Sequence, residues 1–175
     1  MSDVIPNLSA THTNFTFNTS TGVPRSSIIL PNVPMPPSSN TQYKLCRRGG
    51  KTYHVPSAGL VKFKTEMYQY SLTQPRFLQD KQRAQEWNAQ GQVLEIRTLF
   101  MFHHSSIFTK KGTVKRLDTS NRIKALHDQV SLYLGIDDRI FFRVYAEKAE
   151  VADNLPEMVF VEILPILSPP IIHSF

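Results

Sequence analysis

Residues 93–103, VLEIRTLFMFH, constrain the fold of this chain more than any other stretch. Polar and apolar residues alternate at first, then give way to an almost unbroken apolar run, which marks a strand. Further strands and helices are legible on both sides. Residues 27–30 (SIIL) predict a first strand, stopped by Pro31, and Pro34, Pro36 and Pro37 then enforce an extended path through VPMPPSSNTQY. Residues 44–51 are basic and end on Gly49-Gly50, predicting a hairpin into residues 52–55.

Ser57 has the chemistry of an N-cap, and Leu60, Val61, Phe63, Met67 and Tyr68 follow at helical spacing. Residues 79–90 predict a second helix with Gly91 as its stop. A basic loop, 104–117, leads to a third helix with Ser120 as N-cap and Gly135 as stop. Ile123, Leu126, Val130 and Leu134 form its apolar stripe, and Asn121, Lys124 and Asp128 share the opposite face. Strands at 139–147 and 158–164 follow, divided by a turn around Asp153-Asn154. This order predicts an α/β (α+β) fold, a small mixed sheet with helices mainly on one face.

Of the 175 residues, 1–25 are rich in Ser, Thr and Asn, nearly uncharged and without apolar period. They are expected to form a flexible extension before a single domain spanning 26–175. The N-terminus lacks the layout of a secretory signal, and one cysteine, Cys46, excludes an internal disulfide framework and a cysteine-based zinc site. A soluble protein of a reducing, cytoplasmic compartment is the expectation.

The formal charge of +6 is unevenly spread: residues 44–124 carry a net +11 and residues 125–175 a net −5. Such a split is expected where polyanion contacts and acidic ligands come from different segments. Asp118 just before the third helix, Lys124 inside it and Asp137-Asp138 just after it supply hard oxygen ligands and a cation. These suit Mg²⁺ or Mn²⁺, which take one or two carboxylates and complete their shell with water and phosphate oxygens. A helix of about 14 residues is roughly 21 Å long. Asp118 and Asp138 therefore meet only if the chain after Gly135 folds back along the helix. Lys124 also has a plainer role open to it, pairing with Asp128 at i+4. Arg47, Arg48 and Lys51 on the hairpin and Lys110, Lys111, Lys115 and Arg116 in the loop are candidate phosphate contacts.

Two blocks of these residues, in order, resemble the RusA-type Holliday junction resolvases, crossover junction endodeoxyribonucleases of phages and bacteria. IILPNVPMPPSSNTQY followed by RRGGKTYHVPSAG is similar to the family's leading strand, its PPS-x-N-x-x-Y segment and its basic turn. DTSNRIKALHD followed by GIDD is similar to its D-x-D-N-x-x-K-x-x-x-D helix and closing acid pair. The likeness spans about residues 27–165.

The resemblance implies a homodimer that binds branched, four-way DNA and nicks it symmetrically with Mg²⁺ (Mn²⁺ as the alternative) in recombination and repair. It implies Asp118 and Asp138, with Asp137 beside it, as metal ligands and Lys124 as the catalytic lysine. Ser120 stands where the family pattern has a second aspartate: a helix cap is kept, a negative charge is lost. The alternative implied by that loss is a protein of the same fold that binds branched DNA without cutting it.

Overall fold

The computed structural model describes residues 27–38, 42–115 and 119–166. The expected extension, 1–25, lies outside the described residues, as do Arg116 and Asp118. The elements are β1 (Ile28–Pro34), β2 (Tyr43–Arg48), β3 (Lys51–Pro56), α1 (Ala58–Thr73), α2 (Phe77–Ala89), β4 (Leu94–His103), a one-turn α3 (His104–Ile107), α4 (Ser120–Leu134), β5 (Phe141–Val151) and β6 (Met158–Pro165). Asp138–Ile140 form a 3₁₀ turn before β5. Among the described residues no helix is long and apolar enough to cross a membrane.

Four strands form a mixed sheet in the order β1-β6-β4-β5, and β2 and β3 form a separate hairpin. β4 pairs antiparallel with β6 and parallel with β5, which explains its near-continuous apolar sequence: it is an interior strand. Leu94, Ile96, Phe100 and Phe102 on one face join Val159, Val161 and Ile163 of β6 in the core. Leu60, Phe63 and Met67 of α1, Ala84 and Trp87 of α2, and Leu126, Val130 and Leu134 of α4 complete that core. The helices thus supply one layer against one face of the sheet. A parallel pair requires a long crossover, and residues 104–140, with α3 and α4, provide it.

The alternate residues of β4 carry charge into the opposite face. Glu95, nearly buried, accepts from Arg97 Nε at 2.6 Å and lies 3.7 Å from Arg143 of β5, while Arg97 also meets Glu162 of β6 at 3.4 Å. A buried carboxylate needs such partners, because removing its cation leaves an uncompensated charge.

Several expected elements form for the reasons their residues suggest. Ser57 Oγ accepts from the Leu60 amide at 3.2 Å, capping α1. Gly49 and Gly50 adopt φ of 57° and 74°, as a two-residue hairpin turn requires. Others differ. Pro31 does not end β1. The strand is at the sheet edge, where a missing N–H is tolerated, and it continues to Pro34 through an irregularity in register between Leu30 and Val33. Asn32 there has φ of 56°, and the Pro31 carbonyl accepts from the Tyr70 hydroxyl at 2.8 Å. The buried stripe of α1 is Leu60, Phe63, Met67 and Tyr70; Val61 and Tyr68 are exposed. Arg139 lies in the 3₁₀ turn rather than in β5.

This packing distinguishes aromatic residues five positions apart on α1. Phe63→Ala is expected to cost about 3–5 kcal/mol through an unfilled cavity, and Tyr68→Ala no more than about 0.5 kcal/mol. Urea unfolding of the two variants measures the difference.

Candidate active site

The site is built on α4 and the turn that ends it. The first carbonyl of the helix to accept is that of Thr119, from Arg122 and Ile123 amides at 2.9 and 3.1 Å. The cap position therefore falls on Thr119, which has helical backbone angles and no side-chain cap bond. Ser120 is the first residue of the helix, not its N-cap as expected. One turn in, the half-buried Arg122 guanidinium donates to the Pro36 carbonyl and stands over the Phe102 ring at 5.6 Å. It ties the proline segment to the start of α4. Burial lowers its pKa, and the Glu157 carboxylate opposes that shift.

At the other end Gly135 adopts φ of 68°, and Ile136 N–H returns to the Ser131 carbonyl at 3.1 Å, an arrangement that closes helices with a left-handed glycine. A Cβ at this position would lie 2.7 Å from Gln85 Nε2 and 3.0 Å from Lys81 Cε of α2. The backbone angle selects glycine, since the crowding atoms are the far ends of flexible side chains that can move aside. The chain then turns back, and Asp137 caps the 3₁₀ turn by accepting from the Arg139 amide at 2.9 Å.

This return brings Asp138 alongside the middle of α4. Asp128, Ser131, Leu132, Ile136, Asp137 and Asp138 line an open surface pocket of about 320 Å³. Lys124 Nζ lies 3.5 Å from Asp128 Oδ1, the i+4 pairing open to it from sequence. Both are exposed, and such a pair contributes only about 0.3–0.5 kcal/mol, so the ammonium is loosely held. Asp137 is committed differently. Its two oxygens accept from Arg139 Nε and Nη2 at 3.0 and 2.6 Å, and these bonds hold its carboxyl well below the usual carboxylate range. The pair is exposed, and Asp137 lines the pocket beside Asp138.

His127 was not singled out by sequence. It is buried against Phe141, edge to face with ring centroids 5.5 Å apart, and its Nε2 has no partner among the described residues. Burial pushes its pKa down to about 4; the Asp138 and Asp128 charges resist the shift and Lys124 adds to it. Lys124, Asp128 and Asp138 therefore share one electrostatic neighbourhood. The signal for His127 and Asp128 was present: both belong to the helix motif, His127 next to the apolar stripe and Asp128 one turn after the lysine.

The structure places Lys124 and Asp138 on one flank of α4; Asp118, their expected companion, lies outside the described residues, as does the Asn121 side chain. Among the described residues no group of three or more His, Cys, Asp or Glu is poised to hold a metal. Arg47, Arg48 and Lys51 are exposed on the β2–β3 hairpin, which stands apart from the four-stranded sheet, and Lys110, Lys111 and Lys115 are exposed on the loop after α3. Lys115 Nζ donates to the Ser105 carbonyl at 2.6 Å. The adjacent histidines part company: His103 Nε2 meets the Leu155 carbonyl at 2.7 Å, while His104 stacks on Phe108 and meets Glu150 at 3.2 Å.

No family model matches the chain, and no curated protein matches it. Two solved structures of 2C-methyl-D-erythritol-2,4-cyclodiphosphate synthase align weakly. One has TM-score 0.27 at 15% identity, covering 63% of this chain and 74% of that one. The other, a CDP-bound form, has TM-score 0.27 at 11% identity, covering 71% and 93%. Scores this low leave the chemistry to this chain's own residues.

The buried imidazole makes stability depend on pH. The folded pKa lies below the ordinary value of 6.5, so the unfolded chain binds the extra proton and stability falls as pH drops from about 6.5 towards 4. The loss by pH 4.5 is on the order of 2–3 kcal/mol from this residue. Urea unfolding at pH 7 and 4.5 should show it in the native chain, and His127→Gln should abolish most of the difference.

Proposed function

We propose that this protein is a metal-dependent endodeoxyribonuclease acting on branched, four-way DNA as a homodimer. The observation that carries the proposal is the return of the chain after Gly135, which sets Asp138 beside the flank of α4 that holds Lys124 and Asp128.

The donors fit a hard divalent cation. Asp138 and Asp128 line one open pocket, and Mg²⁺ or Mn²⁺ needs few protein oxygens beside water and phosphate. Asp138, with Asp118, would hold it; when bound it polarises a phosphoryl oxygen and lowers the pKa of a water. The remaining work falls to this chain's own cations. Lys124, restrained only by Asp128, can turn its ammonium towards phosphoryl oxygens as charge builds on them. The hairpin and loop cations hold flanking phosphates without reading sequence, which suits recognition by shape. A two-fold substrate is matched by a two-fold protein.

Ser120 favours a second reading, a binder that does not cut. It is neutral where the family pattern is acidic, and it removes a carboxylate from the start of α4.

A synthetic four-way junction with labelled strands separates the two. Paired nicks are expected in Mg²⁺ and none in EDTA. Asp138→Asn and Lys124→Ala should each slow cleavage by about 100-fold or more while leaving binding within a few-fold. Tight binding without cleavage in either metal, restored by Ser120→Asp, would establish the non-cutting reading. Cleavage that survives EDTA and both variants would refute the roles assigned to Asp138 and Lys124. Replacing Arg47, Arg48 and Lys51 together by Ala should weaken junction binding and lower the salt-dependence slope by about 2–3.

A further inference from the structure

The β2–β3 hairpin stands apart from the four-stranded sheet, and both of its faces are open: of its strand residues only Val55 is even partly covered. A two-stranded hairpin by itself is marginally stable. This one keeps its form through the glycine pair at its turn and through the Ser57 amide, which donates to the Gln42 carbonyl at 2.7 Å across its base. Neither feature needs a large apolar side chain, yet Tyr43 and Leu45 are 52% and 68% exposed.

Cross-strand register sorts the side chains into two unlike faces. Cys46 is opposite Tyr53 and Arg48 opposite Lys51, so these four share a face with Lys44. Lys44, Arg48 and Lys51 make that face cationic. Leu45 is opposite His54 and Tyr43 opposite Pro56, and they share the other face with Arg47. This second surface is contiguous and chiefly apolar and aromatic, and its one fixed charge is a guanidinium, itself a group that stacks on rings. Between Asp3 and Glu66 the sequence has no carboxylate, so the ribbon holds nothing to offset its cations.

We propose that the β2–β3 hairpin is the element that tells a branch from a linear duplex. Its Lys44, Arg48 and Lys51 face grips the phosphates of one arm, and its Tyr43 and Leu45 face covers bases left unstacked where the arms part. This role rests on the proposed action on branched DNA and gives that action a source of selectivity. Phosphates are displayed alike by a linear duplex and by each arm of a junction, so cations bind both. Base faces are hidden within a continuous stack and become available where it is interrupted, and aromatic side chains meet them with little regard to sequence. A lipid surface fits the ribbon less well. It offers acidic headgroups and apolar interior from one side, whereas these two faces look in opposite directions.

Binding is measured on the full chain in EDTA, so cleavage plays no part in it. Tyr43→Ala with Leu45→Ala should weaken binding to a synthetic four-way junction by about 10-fold or more and leave binding to a linear duplex of the same arm sequence within about 2-fold. Lys44→Ala with Arg48→Ala and Lys51→Ala should weaken both and lower both salt-dependence slopes by about 2–3. Neither set should move the urea midpoint, and Tyr43→Phe with Leu45→Met should keep native junction binding.

The one cysteine resolves the faces directly. Cys46, exposed on the cationic face, should be shielded from maleimide by either DNA at saturation. In a Cys46→Ser background, Leu45→Cys should be shielded by the junction and not by the linear duplex.

Cleavage of junctions in Mg²⁺ together with indifference to Tyr43→Ala and Leu45→Ala overturns the inference and keeps the nuclease. Selective loss of junction binding in a chain that never cuts does the reverse. Equal losses on both DNAs, shielding of Leu45→Cys by both or by neither, or no binding to DNA overturns it as well. So does a change of oligomeric state on sedimentation of the Tyr43→Ala, Leu45→Ala chain, which would make this face a contact between copies. Capture of the native chain by vesicles of anionic phospholipid, lost in that variant, would assign the face to a membrane instead.

Discussion

The left-handed turn at Gly135 is the constraint on which the placement of everything chemical depends. It ends α4 within the core, where Leu134 is fully buried, and it reverses the chain in the space left by α2. Its φ of 68° is one that residues with side chains rarely adopt. Two outcomes follow from one residue: the acid pair returns to the helix flank, and β5 starts on the line that lets it run parallel to β4. Had the helix run on, β5 would start beyond the sheet and Asp138 would face solvent away from Lys124. Site geometry and sheet topology are therefore one problem with one solution.

Arg122 does the corresponding work at the start of α4. Few residues commit a guanidinium to a carbonyl and an aromatic face under partial burial, because the desolvation must be offset by both contacts and by a counter-charge. In this chain Pro36, Phe102 and Glu157 supply them. The proline segment and the start of α4 are far apart in the chain, and this side chain bonds one to the other.

Most of the fold was legible because its signals are local. Gly49-Gly50, Ser57, Gly91 and Gly135 each act within a few residues, and each ends or begins an element where expected. The readings that failed depended on neighbours in space. Pro31 looks like a stop in one dimension, but at a sheet edge its missing N–H costs nothing. Tyr68 and Tyr70 differ by two positions on α1, and only the Pro31 carbonyl and the core decide that the latter is inside. At the site, Asp137 and Asp138 are indistinguishable as letters; both line the pocket, and the first is also bound by Arg139. His127 escaped notice because a histidine beside an apolar stripe reads as part of the stripe. Part of what makes it informative, the charge of Asp138, arrives from across the turn.

The irregular β1 strand also protects the sheet at its margin. A sheet with two open edges can add neighbours at both and grow without limit, as fibres do. In this sheet one side is closed to growth: Pro31 offers no donor, Asn32 turns to positive φ and the register slips between Leu30 and Val33. A proline and a left-handed asparagine, which read in one dimension as the end of a strand, thus serve to keep the margin of the sheet from acting as a template for further strands.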